Sequence, residues 1–136
     1  MPPAITTKLT KITQLNLSSC YKIKKIPPIS ALTSLQMLKL DNCADLESLP
    51  EEWAPLSSLW SIDLDECRKL TALPAGWSSL SALERLKLKN LWCVARVPDL
   101  SALTELKIEG LPEHLKEWKE GGHKAGVYKA RKVERD

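Results

Sequence analysis

Phenylalanine is absent from this 136-residue chain, and its only two histidines are His114 and His123. The aromatic side chains are therefore five tryptophans and two tyrosines. No run of apolar residues reaches the roughly 18 that a membrane helix needs, so no membrane association is expected. The opening MPPAITTKLTK offers no apolar stretch suited to a signal peptide, which predicts a cytoplasmic address. His-Glu-x-x-His, Cys-x-x-Cys, Gly-x-Ser-x-Gly and Gly-rich phosphate-loop patterns are all missing, and the chain reads as a non-enzyme with no cofactor or metal. Carboxylate pairs such as Asp63 and Asp65 are read as facing solvent. Lys87 and Lys89 are expected to lower their pKa, the wrong direction for a general acid. Lys+Arg 20 against Asp+Glu 17 and a mean hydropathy of -0.22 describe an ordinary soluble domain.

What the chain does contain is a repeat. Leu9, Ile12, Leu15, Leu17, Cys20, Ile23 and Ile26-Pro27 form one unit. Leu32, Leu35, Leu38, Leu40, Cys43, Leu46 and Leu49-Pro50 form the next, 23 residues later. A third runs Leu56, Leu59, Ile62, Leu64, Cys67, Leu70 and Leu73-Pro74, and a fourth runs Leu80, Leu83, Leu86, Leu88, Leu91, Val94 and Val97-Pro98. A shortened fifth unit holds Leu100, Leu103, Leu106, Ile108 and Leu111. One unit is too small to hide its own apolar side chains, so successive units must stack, and about three suffice for stability. Each buried Leu contributes about 1.5 to 3 kcal/mol. The ladder consumes nearly all the Leu and Ile before residue 112, leaving little apolar material for a substrate pocket.

Leu-x-Leu has period two, so both leucines point inward and their neighbours outward. The spacing predicts parallel strands at 14-18, 37-41, 61-65, 85-89 and 105-109. Extended or single-turn segments should open at each Leu-Pro, Ile-Pro or Val-Pro step, because proline fixes its backbone and donates no hydrogen bond.

With seven or eight positions agreeing per unit, residues 3 to 111 resemble the leucine-rich-repeat family. LDNCADLESLPEEW and LDECRKLTALPAGW look most like the repeats of plant intracellular nucleotide-binding disease-resistance receptors. The resemblance implies an α/β solenoid, a leucine-rich-repeat arc with a parallel sheet on its concave face and extended or 3-10 segments on its convex face. It further implies a protein partner held on the outward positions of the sheet and flanking loops, with a role in immune or signalling recognition. Those positions are Gln14, Asn16 and Ser18; Met37, Lys39 and Asp41; Ser61, Asp63 and Asp65; Arg85, Lys87 and Lys89; and Glu105, Lys107 and Glu109.

The cysteines Cys20, Cys43 and Cys67 share one slot in successive units, where the resemblance implies a small inward side chain that donates weakly to buried backbone. Their spacings of 23 and 24, with His114 and His123 far away, do not suit zinc. Cys93 falls off this column and has no assigned role.

Charge is banded along the chain. Residues 1-40 hold six lysines and no acid, and 41-66 hold eight acids and no base. Residues 67-98 hold six bases against Glu84, and 99-136 balance eight against eight. In-register stacking sets Lys39 beside Asp63 beside Lys87, and Asp65 beside Lys89. Such pairs either fix register, at about 0.2 to 1 kcal/mol each, or steer a partner of complementary banding; the two readings stay open together. A swap of Asp63→Lys with Lys87→Glu is expected to keep the ladder.

Trp53 and Trp77, each three residues beyond a Leu-Pro, are expected to stack in the core. Trp60 and Trp92 are candidate contact aromatics, Trp92 with a cation-π stack on Arg68. Residues 112-122 read as a short C-terminal cap helix, with Pro112 in its first turn and Gly121-Gly122 as its stop. Residues 123-136 read as a basic tail, disordered or helical. The amino-terminal edge near Gln14-Ser18 is left open, and open edges invite pairing. A homodimer through that edge is the alternative function, and nucleic-acid association through the tail the weaker one.

Overall fold

The computed structural model describes residues 11-112, 115 and 133-134. Five three-residue strands recur as the Leu-x-Leu spacing requires: β1 Gln14–Asn16, β2 Met37–Lys39, β3 Ser61–Asp63, β4 Arg85–Lys87 and β5 Lys107–Glu109. They pair in chain order, all parallel, and β6 Val133–Glu134 joins β5 to make six. Leu15, Leu38, Ile62, Leu86 and Ile108 stand in register across the sheet. Each is the inward residue of its strand, and together they make one rung line of the core.

The core is continuous. From Ile26 to Leu115 the aliphatic rungs are buried in a single cluster, with Cys43 and Cys67 among them. In the first coil Ile12, Leu15, Leu17, Cys20 and Ile23 are only half-buried, because β1 is the outermost strand on that side of the sheet. Trp53 and Trp77 form the expected core pair, edge to face with ring centroids 5.7 Å apart. The indole N–H of Trp53 donates to Pro50 O at 2.6 Å. After Pro74 the chain makes a 3-10 turn, Ala75–Ser79. Gly76 is required there, since a Cβ would lie 2.7 Å from the Glu51 carbonyl oxygen.

Each coil turns after its strand through a residue in the left-handed region: Ser19, Asn42, Glu66, Asn90 and Gly110, with φ between 61° and 71°. For the non-glycine residues this conformation costs about 1 kcal/mol or more. The backbone N–H of Ser19, Asn42 and Glu66 offsets it by donating to Asp41, Asp65 and Lys89 carbonyls of the following coil, at 2.8 to 2.9 Å. A second, slighter ladder joins the coils beyond the turn. Lys25 bridges Ser48, and Glu47 N–H donates to Lys24 O at 2.9 Å.

The strands end two residues earlier than the spacing predicts, and the fifth coil departs further. The repeat spacing set Leu106 and Ile108 over Leu86 and Leu88, but the sheet pairs Leu86 with Ile108 and Arg85 with Lys107. Glu105 therefore precedes the strand instead of lying on it. The slip is possible because Gly110 turns the chain directly after Glu109, at φ 71°, where an added Cβ would meet Lys89 at 3.0 Å. The expected cap helix over 112-122 lies outside the described residues except for Pro112 and Leu115, where Leu115 N–H donates to Pro112 O at 2.9 Å. The basic tail likewise lies outside them except for Val133 and Glu134. Those two residues form a strand instead of disordered chain or helix. Val133 faces Ile108, a separation of 25 residues that is close to one coil.

Candidate partner-binding surface

The sheet sets the proposed contact residues in two straight rows. Gln14, Met37, Ser61, Arg85 and Lys107 form one, and Asn16, Lys39, Asp63, Lys87 and Glu109 form the other. Ser18, Asp41, Asp65 and Lys89 follow the strands on the way to the left-handed turns. Accessibility along these rows is uneven. Gln14, Asn16, Arg85, Lys89 and Glu105 are exposed, while Ser18, Met37, Lys39, Asp41, Asp65, Lys87, Lys107 and Glu109 are half-buried.

Ser61 and Asp63, at 6% and 7% exposure, are buried, which corrects the solvent-facing reading of both. Short side chains on the middle strand are overlaid by the longer Met37 and Lys39 on one side and Arg85 and Lys87 on the other. Asp63 Oδ2 lies 3.6 Å from Lys39 Nζ and 3.8 Å from Lys87 Nζ, and its Oδ1 accepts the Asp65 N–H at 3.1 Å.

The expected Lys39, Asp63, Lys87 ladder is present, but the Asp65 to Lys89 step is not an ion pair. Asp65 Oδ1 accepts the backbone N–H of Lys89 at 2.8 Å, and its Oδ2 lies 3.5 Å from Lys87 Nζ. Lys39 also reaches Asp41 at 3.7 Å. Five charges, Asp41, Lys39, Asp63, Lys87 and Asp65, are thus interlocked. An Asp63→Lys, Lys87→Glu swap would set like charges against Lys39 and Asp65, so it does not preserve the ladder. Arg85 Nε donates to Glu109 Oε2 at 2.8 Å, closing the row.

These contacts move the titrations. Burial pushes the Asp65 carboxyl above its ordinary value and the Asp63 charge adds to this, outweighing the Lys89 N–H and Lys87, so the lowering expected from the two lysines is reversed. At Lys87 burial works against the charge, yet the Asp63 and Asp65 carboxylates hold the pKa above the usual lysine value. Burial also raises Asp41, but the Ser18 hydroxyl, donating at 2.6 Å, and backbone hydrogen bonding bring it below the aspartate norm. A hydrogen bond from Asn90 is the chief reason Glu66 sits low.

The cysteine column is structural. Cys43 Sγ donates to Leu17 O at 3.1 Å and Cys67 Sγ to Leu40 O at 3.0 Å, each reaching back one coil. Burial pushes the Cys67 thiol up to about 12, far from a reactive thiolate. Among the described residues no cluster of three or more His, Cys, Asp or Glu could hold a metal ion. No described helix is long and apolar enough to cross a membrane.

The aromatics divide. Among the described residues Trp60, Trp92 and Tyr21 are the exposed large hydrophobics. Trp60 opens β3 and its carbonyl accepts from Glu84 and Arg85 at 2.9 Å. Trp92 lies in the turn after β4, in the row of Tyr21, Ala44 and Arg68. The stack of Trp92 on Arg68 is not formed, because the Arg68 guanidinium turns to Glu66 instead. Tyr21, absent from the candidate contact residues, is signalled by its place in the same row of the repeat as Trp92.

No family model matches the chain. Over 45 residues it is 44% identical to the disease resistance protein RML1A of Arabidopsis thaliana, a stretch covering 33% of this chain and 4% of that protein. A structure of an internalin, inlF, from Listeria monocytogenes overlaps 79% of this chain and 43% of its own, at 21% identity and a TM-score of 0.29. Folds of this type commonly mediate protein–protein interaction and are typically non-enzymatic. The five recurring leucine-bearing coils and their in-register parallel strands make this chain a solenoid of leucine-rich repeats, similar over one stretch to a plant resistance protein.

Proposed function

We propose that this chain is a non-enzymatic binding module that takes a protein partner on its sheet face and adjoining loops, in immune or signalling recognition. The observation that carries this is the pair of straight side-chain rows, five strands deep, that the parallel register presents on one face. Five strands about 4.8 Å apart span only about 20 Å. A standard interface of about 800 Å² per partner therefore needs the flanking loops as well. The test is capture of a binding partner by the immobilised chain, compared with Met37→Arg on the sheet face and Glu52→Lys on the outer side. The reading expects Met37→Arg to abolish capture and Glu52→Lys to retain it; equal capture by both would refute it.

A second reading, self-association through β1, is favoured by the half-buried Ile12, Leu15, Leu17 and Cys20 at that end of the core. Mass measured across concentrations decides it. A strict monomer removes the dimer.

A further inference from the structure

The charges of the sheet face are largely engaged with one another. Lys39 and Lys87 contact Asp63, and Arg85 contacts Glu109. The flank where the coils descend from their strands differs. Lys22, Lys24, Lys25 and Arg96 are exposed there and pair with no described carboxylate, while Arg68 and Lys69 of the same flank are neutralised by Glu66 and Asp45. Two of the three exposed large hydrophobics among the described residues, Tyr21 at 62% and Trp92 at 54%, occupy one row of this flank. They stand three strand steps apart, about 14 Å. Each directly follows a rung of its coil, Cys20 or Leu91, so neither is drawn into the core.

Three residues beyond Trp92 begins an apolar groove of about 610 Å³ between the third and fourth coils, walled by Ala72, Leu73, Ala75, Ala95 and Val97. Its origin is a deletion. In the second and third coils five residues separate the proline from the next leucine, Pro50 to Leu56 and Pro74 to Leu80, and the intervening Trp53 and Trp77 fill the step between coils. Only one residue, Asp99, separates Pro98 from Leu100, so no third tryptophan continues the stack.

We infer that this flank, among the loops adjoining the sheet, anchors the partner, and that the partner presents to it an extended protein segment alternating carboxylates with aliphatic side chains. Trp92 is the anchor, as buried tryptophans are at protein interfaces. The aliphatic side chains enter the groove, and Lys22, Lys24, Lys25 and Arg96 supply charge complementarity and steering. A nucleic acid would also meet aromatics and lysines, but Asp45, Glu47 and Glu66 interrupt the flank and repel a continuous line of phosphates. The inference rests on the reading of the chain as a protein-binding module and moves the contact to a definite place.

The experiment titrates the full chain with a short peptide alternating Glu and Leu, following tryptophan emission and calorimetric heat. A Lys-Leu peptide and a single-stranded oligothymidylate serve as controls. The expected result is saturable binding of the Glu-Leu peptide alone, weakened at least about tenfold by Trp92→Ala. Lys22→Glu with Lys24→Glu should weaken it comparably, and Ser57→Ala, at an exposed position outside both surfaces, should leave it unchanged. Thermal melting confirms that these surface variants fold. Absence of Glu-Leu binding, indifference to Trp92→Ala, or tighter binding of oligothymidylate would overturn the inference. Partner capture abolished by Met37→Arg but indifferent to Trp92→Ala would also overturn it while leaving the sheet-face module intact; capture indifferent to both would count against the module itself.

Discussion

Replacing Asp63 with Asn isolates the electrostatics at the middle of the sheet. The substitution keeps an oxygen able to accept the Asp65 N–H, now 3.1 Å away, but removes the charge between Lys39 and Lys87. The two lysine side chains are 40% and 31% exposed, so each contact belongs with cross-strand pairs of modest strength. At about 0.2 to 1 kcal/mol apiece, their joint loss is about 0.4 to 2 kcal/mol. Asp63→Ala also leaves the Asp65 N–H without any acceptor, adding about 1 to 3 kcal/mol beyond the Asn variant. Urea unfolding of the three proteins, at low salt and at about 1 M salt where the screening length falls to about 3 Å, separates the contributions. The Asn deficit should shrink in salt, while the gap between Ala and Asn should persist. An Asn variant as stable as the parent, or a deficit indifferent to salt, would refute the assignment of Asp63 as the hub of the ladder.

Three further outcomes follow from the same contacts. Asp65 has a folded pKa above its unfolded value. Its contribution to stability is complete below the unfolded value near 3.8 and is lost as pH rises through the folded one. Asp65→Asn, whose oxygen can still accept the Lys89 N–H, should therefore be the more stable protein at pH 7 and lose that advantage in acid, as thermal melts across pH will show. Gly110→Ala forces a Cβ into the left-handed region and to 3.0 Å from Lys89, and should cost about 1 to 3 kcal/mol by chemical denaturation. Thiol labelling of the native chain should modify the exposed Cys93 promptly and reach Cys43 and Cys67 only on unfolding; prompt labelling of all three would contradict the buried column.

The rungs were legible because burial of Leu and Ile repeats at fixed spacing, and four coils take the register that spacing implies. The left-handed column was not legible, since Ser19, Asn42, Glu66, Asn90 and Gly110 share a backbone conformation but no side-chain chemistry. The fifth coil misled because Leu100, Leu103 and Leu111 keep one spacing while Lys107–Glu109 keeps another, a choice made by hydrogen bonds such as Lys107 N–H to Glu84 O at 2.8 Å. The burial of Asp63 depends on long side chains 24 residues away in either direction, which no local pattern records. The return of Val133 to the sheet carries no leucine template at all.

The account stands on coils stacked in register, and amide hydrogen exchange tests that most directly. Leu17, Leu40, Leu64 and Leu88 each donate a backbone N–H to the following coil, to Lys39, Asp63, Lys87 and Glu109 carbonyls at 2.8 to 3.0 Å. These four amides should be strongly protected, with Leu40 and Leu64 slowest and Leu17 fastest at the open end of the sheet. Exchange of Leu40 and Leu64 at the rate of an unfolded chain would contradict the stacked solenoid.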